Sequence, residues 1–123
     1  MRRWKGVLMP PERTQIAEAK RLVAAIAQTL EEVSFVLPGS LTRRLTKCGR
    51  PDCRCHDDPP KLHGPYWSWT RKVRAKTVTK LLSDDQVEDY QPWLDASKQV
   101  KELLHQLEAL SLAVVNQDPR KRA

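Results

Sequence analysis

The sequence predicts an α+β protein with a helix at each end and a β-hairpin between them. Apolar residues recur every three or four positions in two separate stretches, and the region between these stretches contains two segments rich in aromatic and β-branched residues. Three cysteines precede the hairpin. A chain of 123 residues is expected to form one small domain, and a core of that size is often helped by a metal ion or a partner chain.

The first helix is predicted over residues 11–34. Pro10 and Pro11 suit its first turn, where a missing amide hydrogen costs little. The apolar positions follow the a/d spacing of a coiled coil or helical bundle, namely Ile16, Ala19, Val23, Ile26, Leu30 and Val33. The segment Pro38-Gly39-Ser40 lies beyond the end of this helix.

A second helical region is predicted over residues 83–116, followed by a basic tail over residues 117–123. Ser83 and Gln86 match a capping box, and Pro92 predicts a short helix as far as Tyr90 followed by a kink or a restart. The later part has its own a/d seam, formed by Val100, Leu103, Leu107, Leu110 and Val114. The two seams can pack as an antiparallel layer in one chain or pair between copies, and we expect a homo-oligomer.

The hairpin is predicted from two extended segments, residues 66–73 and 76–82. Arg74 and Ala75 separate them, and Ala75 is a poor residue for a tight turn that needs positive φ, so a turn wider than two residues is expected. Strand alternation places Trp67 and Trp69 on one face. Packing in the core is the favoured role of these two tryptophans, and stacking on unpaired bases is the alternative.

The three cysteines form a candidate metal site in a loop that contains Gly49 and Pro51. Cys48, Cys53 and Cys55 supply three thiolates, and zinc prefers four soft or borderline ligands arranged as a tetrahedron. His63 is the favoured fourth ligand because it lies at the mouth of the hairpin. His56 is the alternative, although it follows Cys55 directly and adjacent side chains usually point apart.

Other interpretations of the cysteines stay open. Arg50 and Arg54 would lower the pKa of a neighbouring thiol, as in a redox-active site. An iron–sulfur cluster would need a fourth cysteine from a second chain. A disulfide is disfavoured in a reducing cytoplasm, which is the expected location because no stretch is long and apolar enough for a membrane span and no signal peptide is recognisable. No catalytic motif is present, so we expect no enzymatic activity.

The cysteine loop and the segment after it resemble a known family of small, uncharacterised bacterial and archaeal proteins. The resemblance rests on Cys48-Gly49-Arg50-Pro51-Asp52-Cys53-Arg54-Cys55, on His63-Gly64-Pro65-Tyr66 and on the basic, tryptophan-bearing segment as far as Leu82. It implies that Cys48, Cys53, Cys55 and His63 are ligands, and that the protein is associated with mobile or variable genomic regions. Ala75 departs from the glycine that the family tends to place at the hairpin tip.

Charge is distributed unevenly along the chain. The formal net charge is +7, but residues 40–80 carry eleven basic and three acidic side chains, whereas residues 81–118 carry two basic and eight acidic ones. Cations this dense on a β-ribbon could neutralise several phosphates of a nucleic acid. The candidate contacts are Arg43, Arg44, Lys47, Arg50, Arg54, Arg71, Lys72, Arg74, Lys76 and Lys80.

These observations predict a zinc-stabilised nucleic-acid-binding protein with duplex DNA as the expected partner. The alternative is an oligomeric protein-interaction adaptor in which the basic and acidic segments of different protomers attract each other. The plainest interpretation of the basic run is a solvated surface without a partner.

Overall fold

The computed structural model describes residues 11–120 and confirms the α+β class. The elements in chain order are α1 (Arg13–Val33), β1 (Ser40–Thr46), a short 3-10 turn (Arg54–His56), β2 (His63–Val73), β3 (Lys76–Leu82) and α2 (Asp84–Gln117). The chain divides into two compact units. A helical unit contains the described residues 11–35 and 96–120, and a sheet unit contains residues 36–95, so the boundary falls inside α2. None of the described helices is long and apolar enough to cross a membrane.

Helix α1 begins two residues later than predicted. Glu12 is its N-cap, and the backbone N–H of Glu12 donates to Oε1 of Gln15 at 2.9 Å. Pro11 therefore lies before the first turn rather than within it, and Pro10 lies outside the described residues. At the other end, Ser34 has a φ of 66° and its N–H donates to the carbonyl of Leu30, which closes the helix.

The strands form one antiparallel sheet in the order β1-β2-β3. The predicted hairpin is confirmed, and β2 begins earlier than expected, at His63. Strand β1 was not predicted, since the first extended segment was expected to begin at residue 66. This strand pairs with β2 from Ser40↔Thr70 to Thr46↔His63, with an irregularity between Arg44 and Thr46.

The hairpin turn contradicts the expectation of a wide connection. Val73 pairs directly with Lys76, so Arg74 and Ala75 alone form the turn. Both residues have positive φ, 50° and 67°, which is the conformation of a type I′ turn. The continuous β2–β3 ladder imposes this conformation on an alanine that does not favour it.

Helix α2 is continuous through Pro92, so of the predicted kink or restart the restart is wrong. The predicted capping box is present, since Ser83 N–H donates to Gln86 Oε1 at 2.9 Å and Gln86 N–H donates to Ser83 Oγ at 3.2 Å. A proline removes only one backbone hydrogen bond. Side-chain contacts span the position on both sides. The rings of Tyr90 and Trp93 stack with centroids 5.2 Å apart, and Gln91 donates to Asp95 at 2.9 Å.

In the sheet unit, the segment that precedes β1 is attached to both the helix and the sheet. The N–H of Leu37 donates to the carbonyl of Trp93 at 3.0 Å, and the indole N–H of Trp69 donates to the carbonyl of Pro38 at 2.8 Å. Gly39 follows with a φ of 101°, and a Cβ on it would clash with the carbonyl oxygen of Thr70. This close approach explains the glycine and fixes where β1 begins.

Candidate functional site

The loop between β1 and β2 brings four predicted ligands together. The ligand atoms of Cys48, Cys53, Cys55 and His63 all lie within 4.8 Å of one another. Sγ of Cys53 is 3.1 Å from Nε2 of His63, and Sγ of Cys48 is 3.6 Å from Sγ of Cys55. All three cysteines are free thiols. Together the four residues form a possible metal site.

His56 does not join this cluster. Its Nε2 donates to the backbone carbonyl of Cys48 at 2.9 Å, so the ring holds the loop at the first cysteine instead of offering a lone pair there. Between the two predicted candidates for the fourth ligand, the structure therefore brings His63 to the thiols.

Local backbone contacts shape the loop around the thiols. The 3-10 turn Arg54–His56 carries Cys55 inward, where none of its surface is exposed. The N–H of Cys48 donates to Sγ of Cys55 at 3.3 Å, an interaction that favours a thiolate. The N–H of Lys61 closes the loop by donating to the carbonyl of Arg54 at 3.0 Å.

The thiols differ in acidity. A hydrogen bond from the Cys55 backbone and one from the Cys48 side chain lower the pKa of the Cys53 thiol to about 6. Burial raises the pKa of the Cys55 thiol. In the metal-free protein Cys53 is therefore the thiol that is ready to act as a ligand or nucleophile at neutral pH.

Glycine is required at one position beside the site. Gly64 follows His63 with a φ of 108°, and a Cβ there would lie 2.7 Å from the N atom of Tyr66 and 3.1 Å from the carbonyl oxygen of Arg44. Gly49 lies in the predicted Gly/Pro-bearing loop, and a Cβ added to it would meet nothing within 4 Å. Of these two glycines, Gly64 is thus the one whose backbone conformation and close contacts exclude a larger residue.

The predicted cations are distributed along the sheet and along residues 47–62, the loop that contains the three cysteines and is named the metal loop for the proposed site. Paired residues of antiparallel strands share a face, so the register places Arg43, Arg71, Lys76 and Lys80 on the face of Trp67 and Trp69, and Arg44 and Lys72 on the opposite face. Arg74 lies in the hairpin turn. Lys47, Arg50 and Arg54 lie in the metal loop and its 3-10 turn, at the other end of β2.

Ion pairs do not neutralise these cations within the described residues. The two ion pairs of residues 11–120 join Arg21 to Glu18 and Arg120 to Asp118, both outside the sheet unit. None of the ten predicted contact residues is therefore in an ion pair with another described residue, although Arg71 is half-buried and its Nη1 is buried without a hydrogen-bond partner.

A family model described as a domain of unknown function, DUF6788, matches residues 13–92, about two thirds of the chain. The chain belongs to the DUF6788 family. Membership in a family of unknown function was predicted from the sequence, and the match also includes α1, which lies before the motifs that suggested it. No curated protein and no solved structure matches the chain significantly.

Two arginine–tryptophan contacts of this DUF6788 chain were not predicted. The guanidinium of Arg71 lies 4.2 Å from the ring centroid of Trp69, and that of Arg43 lies 5.4 Å from the ring centroid of Trp67. Both tryptophans are half-buried. Alternation along β2 predicts the pairing within that strand, but the contact of Arg43 depends on β1 and could not be found without it.

Proposed function

We propose that this protein binds duplex DNA through its basic hairpin and that a zinc ion stabilises the sheet unit. The main support for DNA binding is the structure of the outer half of the hairpin. Strand β1 has no residue beyond the Ser40↔Thr70 pair, so residues 71–78 form a ribbon of two strands only. This ribbon carries Arg71, Lys72, Arg74 and Lys76 and has no acidic residue.

A two-stranded ribbon is the right width for duplex DNA. The major groove is about 12 Å wide and admits such a ribbon, with phosphates on both sides of it. Arg71 and Lys76 share one face, Lys72 lies on the other and Arg74 is at the tip. Cations that point in several directions suit two phosphate walls better than a single flat anionic surface.

The donor set and its spacing support zinc as the metal. Three thiolates and one imidazole are soft or borderline ligands, which favour zinc over magnesium or calcium. Tetrahedral geometry with Zn–S bonds of about 2.3 Å separates two sulfurs by about 3.8 Å, close to the 3.6 Å between Cys48 and Cys55. Four protein ligands fill the coordination sphere, so the ion would be structural rather than catalytic.

Salt dependence of binding tests the DNA proposal directly. Binding of a fluorescent duplex is measured by anisotropy over a range of salt concentrations. The matched pair of variants is Lys72→Gln/Lys76→Gln on the ribbon and Lys98→Gln/Lys101→Gln on α2; all four lysines are exposed, and both variants remove two charges. The slope of log K against log salt should fall by about 1.8 in the ribbon variant and stay unchanged in the α2 variant.

Two outcomes would reject the proposal. Duplex binding that is absent at low salt, or that does not change with salt, would leave the cations as a solvated surface. Equal weakening by the two variants would show an effect of net charge without a role for the ribbon. Tighter binding to an unpaired strand or to RNA of the same sequence would show that duplex DNA is not the preferred partner.

A further inference from the structure

The helical unit has an apolar groove between α1 and the end of α2. The groove has a volume of about 710 Å³, and its apolar lining includes Ile16, Ala19, Val23, Leu110, Val114 and Val115. The side chain of Gln15 donates to that of Gln117 at 2.9 Å, so the start of α1 lies beside the end of α2 and the two helices run antiparallel. The groove is built entirely within this unit.

Helix α1 covers only part of its apolar surface with its own chain. Leu22 is 1% exposed and Thr29 is 7% exposed, and the seven-residue spacing places them on one face. Val23 and Leu30 have the same spacing on the adjacent face, yet they are 54% and 41% exposed. The predicted a/d seam is thus not centred on the contact inside the chain, and one edge of it is left open.

The charges at the two ends of α1 favour an antiparallel copy of the same helix. The N-cap Glu12 is acidic, but Arg13 follows it in the first turn, and Glu31 and Glu32 lie in the last turn, which has no basic residue. Negative charge near the C-terminus destabilises an isolated helix. An antiparallel copy of the same helix would place each charged end beside its opposite.

We propose that the groove binds the same groove of a second copy, with the two α1 helices antiparallel across a two-fold axis. An axis between Leu22 and Val23 places Val23 at the centre of the contact and brings Arg13 of one chain level with the last turn of the other. At about 100° per residue, Arg13 and Glu31 lie on the same side of Val23 and can meet across the axis, whereas Glu32 lies on the opposite face of α1. Among the described residues, Arg13 and Glu31 form no ion pair within the chain. They are therefore available to the second copy.

The charge of the helical unit permits self-association. Its described residues, 11–35 and 96–120, carry six basic and seven acidic side chains, so two copies approach without strong repulsion. The whole sheet unit, residues 36–95, carries eleven basic and eight acidic side chains, but all eleven cations lie within residues 40–80, where they would repel the same segment of a second copy. Of the two units, the helical one is the suitable site of dimerisation.

Light scattering and sedimentation at micromolar concentration, without nucleic acid, test this proposal. The full chain should have twice the monomer mass of 14.2 kDa. Val23→Lys should raise the dimer dissociation constant by at least about 100-fold, because each dimer loses two buried valines and gains two buried charges. Leu81→Lys is the matched control, since Leu81 is 56% exposed and lies on β3. Circular dichroism checks that the helices persist.

A charge swap tests the antiparallel arrangement. Glu31→Lys should weaken the dimer, and adding Arg13→Glu should restore it, because the attraction is recovered with its sign reversed. A monomeric full chain, or a dimer that Val23→Lys leaves unchanged, would overturn the proposal. A full chain that is monomeric and dimerises only when residues 1–9 are removed would also overturn the proposal, because the groove would then be the binding site of the N-terminal segment.

Discussion

Sγ of Cys53 lies 3.1 Å from Nε2 of His63, although the two residues are ten positions apart in the chain. The contact joins the middle of the metal loop to the first residue of β2, the central strand of the sheet. A metal held by these two residues, Cys48 and Cys55 would therefore attach the loop to the sheet at its centre.

Single substitutions should distinguish the proposed metal ligands from the two histidines that lie outside the cluster. Cys53→Ser and His63→Ala should each lose the zinc, with about one ion per chain in the parent protein, and should lower the melting temperature because metal binding contributes folding free energy. His56→Ala should keep the ion, since the His56 ring bonds to a backbone carbonyl. Metal analysis by mass spectrometry measures the occupancy.

His105→Ala is the control for this series, because His105 is exposed on α2. Zinc retained in His63→Ala but lost in His56→Ala would reverse the ligand assignment. Zinc retained in every variant would show that the four residues do not form the site.

The three thiols should react in a defined order in the metal-free protein. The pKa of Cys53 is lowered to about 6 and that of Cys55 is raised by burial. Iodoacetamide at neutral pH should therefore modify Cys53 first and Cys55 last, as measured by peptide mass spectrometry. The Cys53 rate should fall as the pH drops through about 6, where the thiolate becomes protonated.

Zinc supplies the control for the alkylation experiment, because bound thiolates should be protected. Modification of Cys55 before Cys53, or a Cys53 rate that falls only near pH 8 to 9 as in a free thiol, would contradict the predicted order.

Substitution by alanine should affect the stability of the protein differently at Gly64 and at Gly49. Gly64→Ala introduces a Cβ at 2.7 Å from a backbone nitrogen at a φ of 108°, and it should destabilise the protein by about 1 to 3 kcal/mol and reduce zinc affinity. Gly49→Ala meets nothing within 4 Å and should be nearly neutral. Chemical denaturation compares the two, and equal effects would argue against the Gly64 geometry.

Ala75→Gly should stabilise the hairpin. Ala75 has a φ of 67°, and glycine relieves that strain at a smaller cost in chain entropy, so we expect a gain of about 0.5 to 1 kcal/mol. The matched control is Ala109→Gly on the exposed surface of α2, which should lose about 1 kcal/mol. Thermal unfolding of both variants decides the result; destabilisation by Ala75→Gly would contradict the two-residue turn.

Local signals predicted the helices and the hairpin well. The Ser83/Gln86 capping box needs only neighbouring residues, and both of its hydrogen bonds are present. Alternation of Trp67 and Trp69 along β2 was likewise sufficient to place them on one face. In each case the interaction is encoded within a few residues.

Features that depend on distant contacts were missed. Strand β1 exists because its residues pair with β2 across the metal loop, and residues 40–46 carry only a weak strand pattern of their own. The tight turn at Ala75 is imposed by the hairpin ladder against the preference of the residue. Helix α2 continues through Pro92 because contacts on both sides compensate for one lost hydrogen bond.

The two outer strands of the sheet have a consequence for solubility. An outer strand presents unpaired backbone groups to which another chain can add, and charged residues there oppose such addition. Arg43 and Arg44 lie on β1, and Lys76 and Lys80 lie on β3. The same cations that are available to an anionic partner thus also protect the sheet against edge-to-edge aggregation.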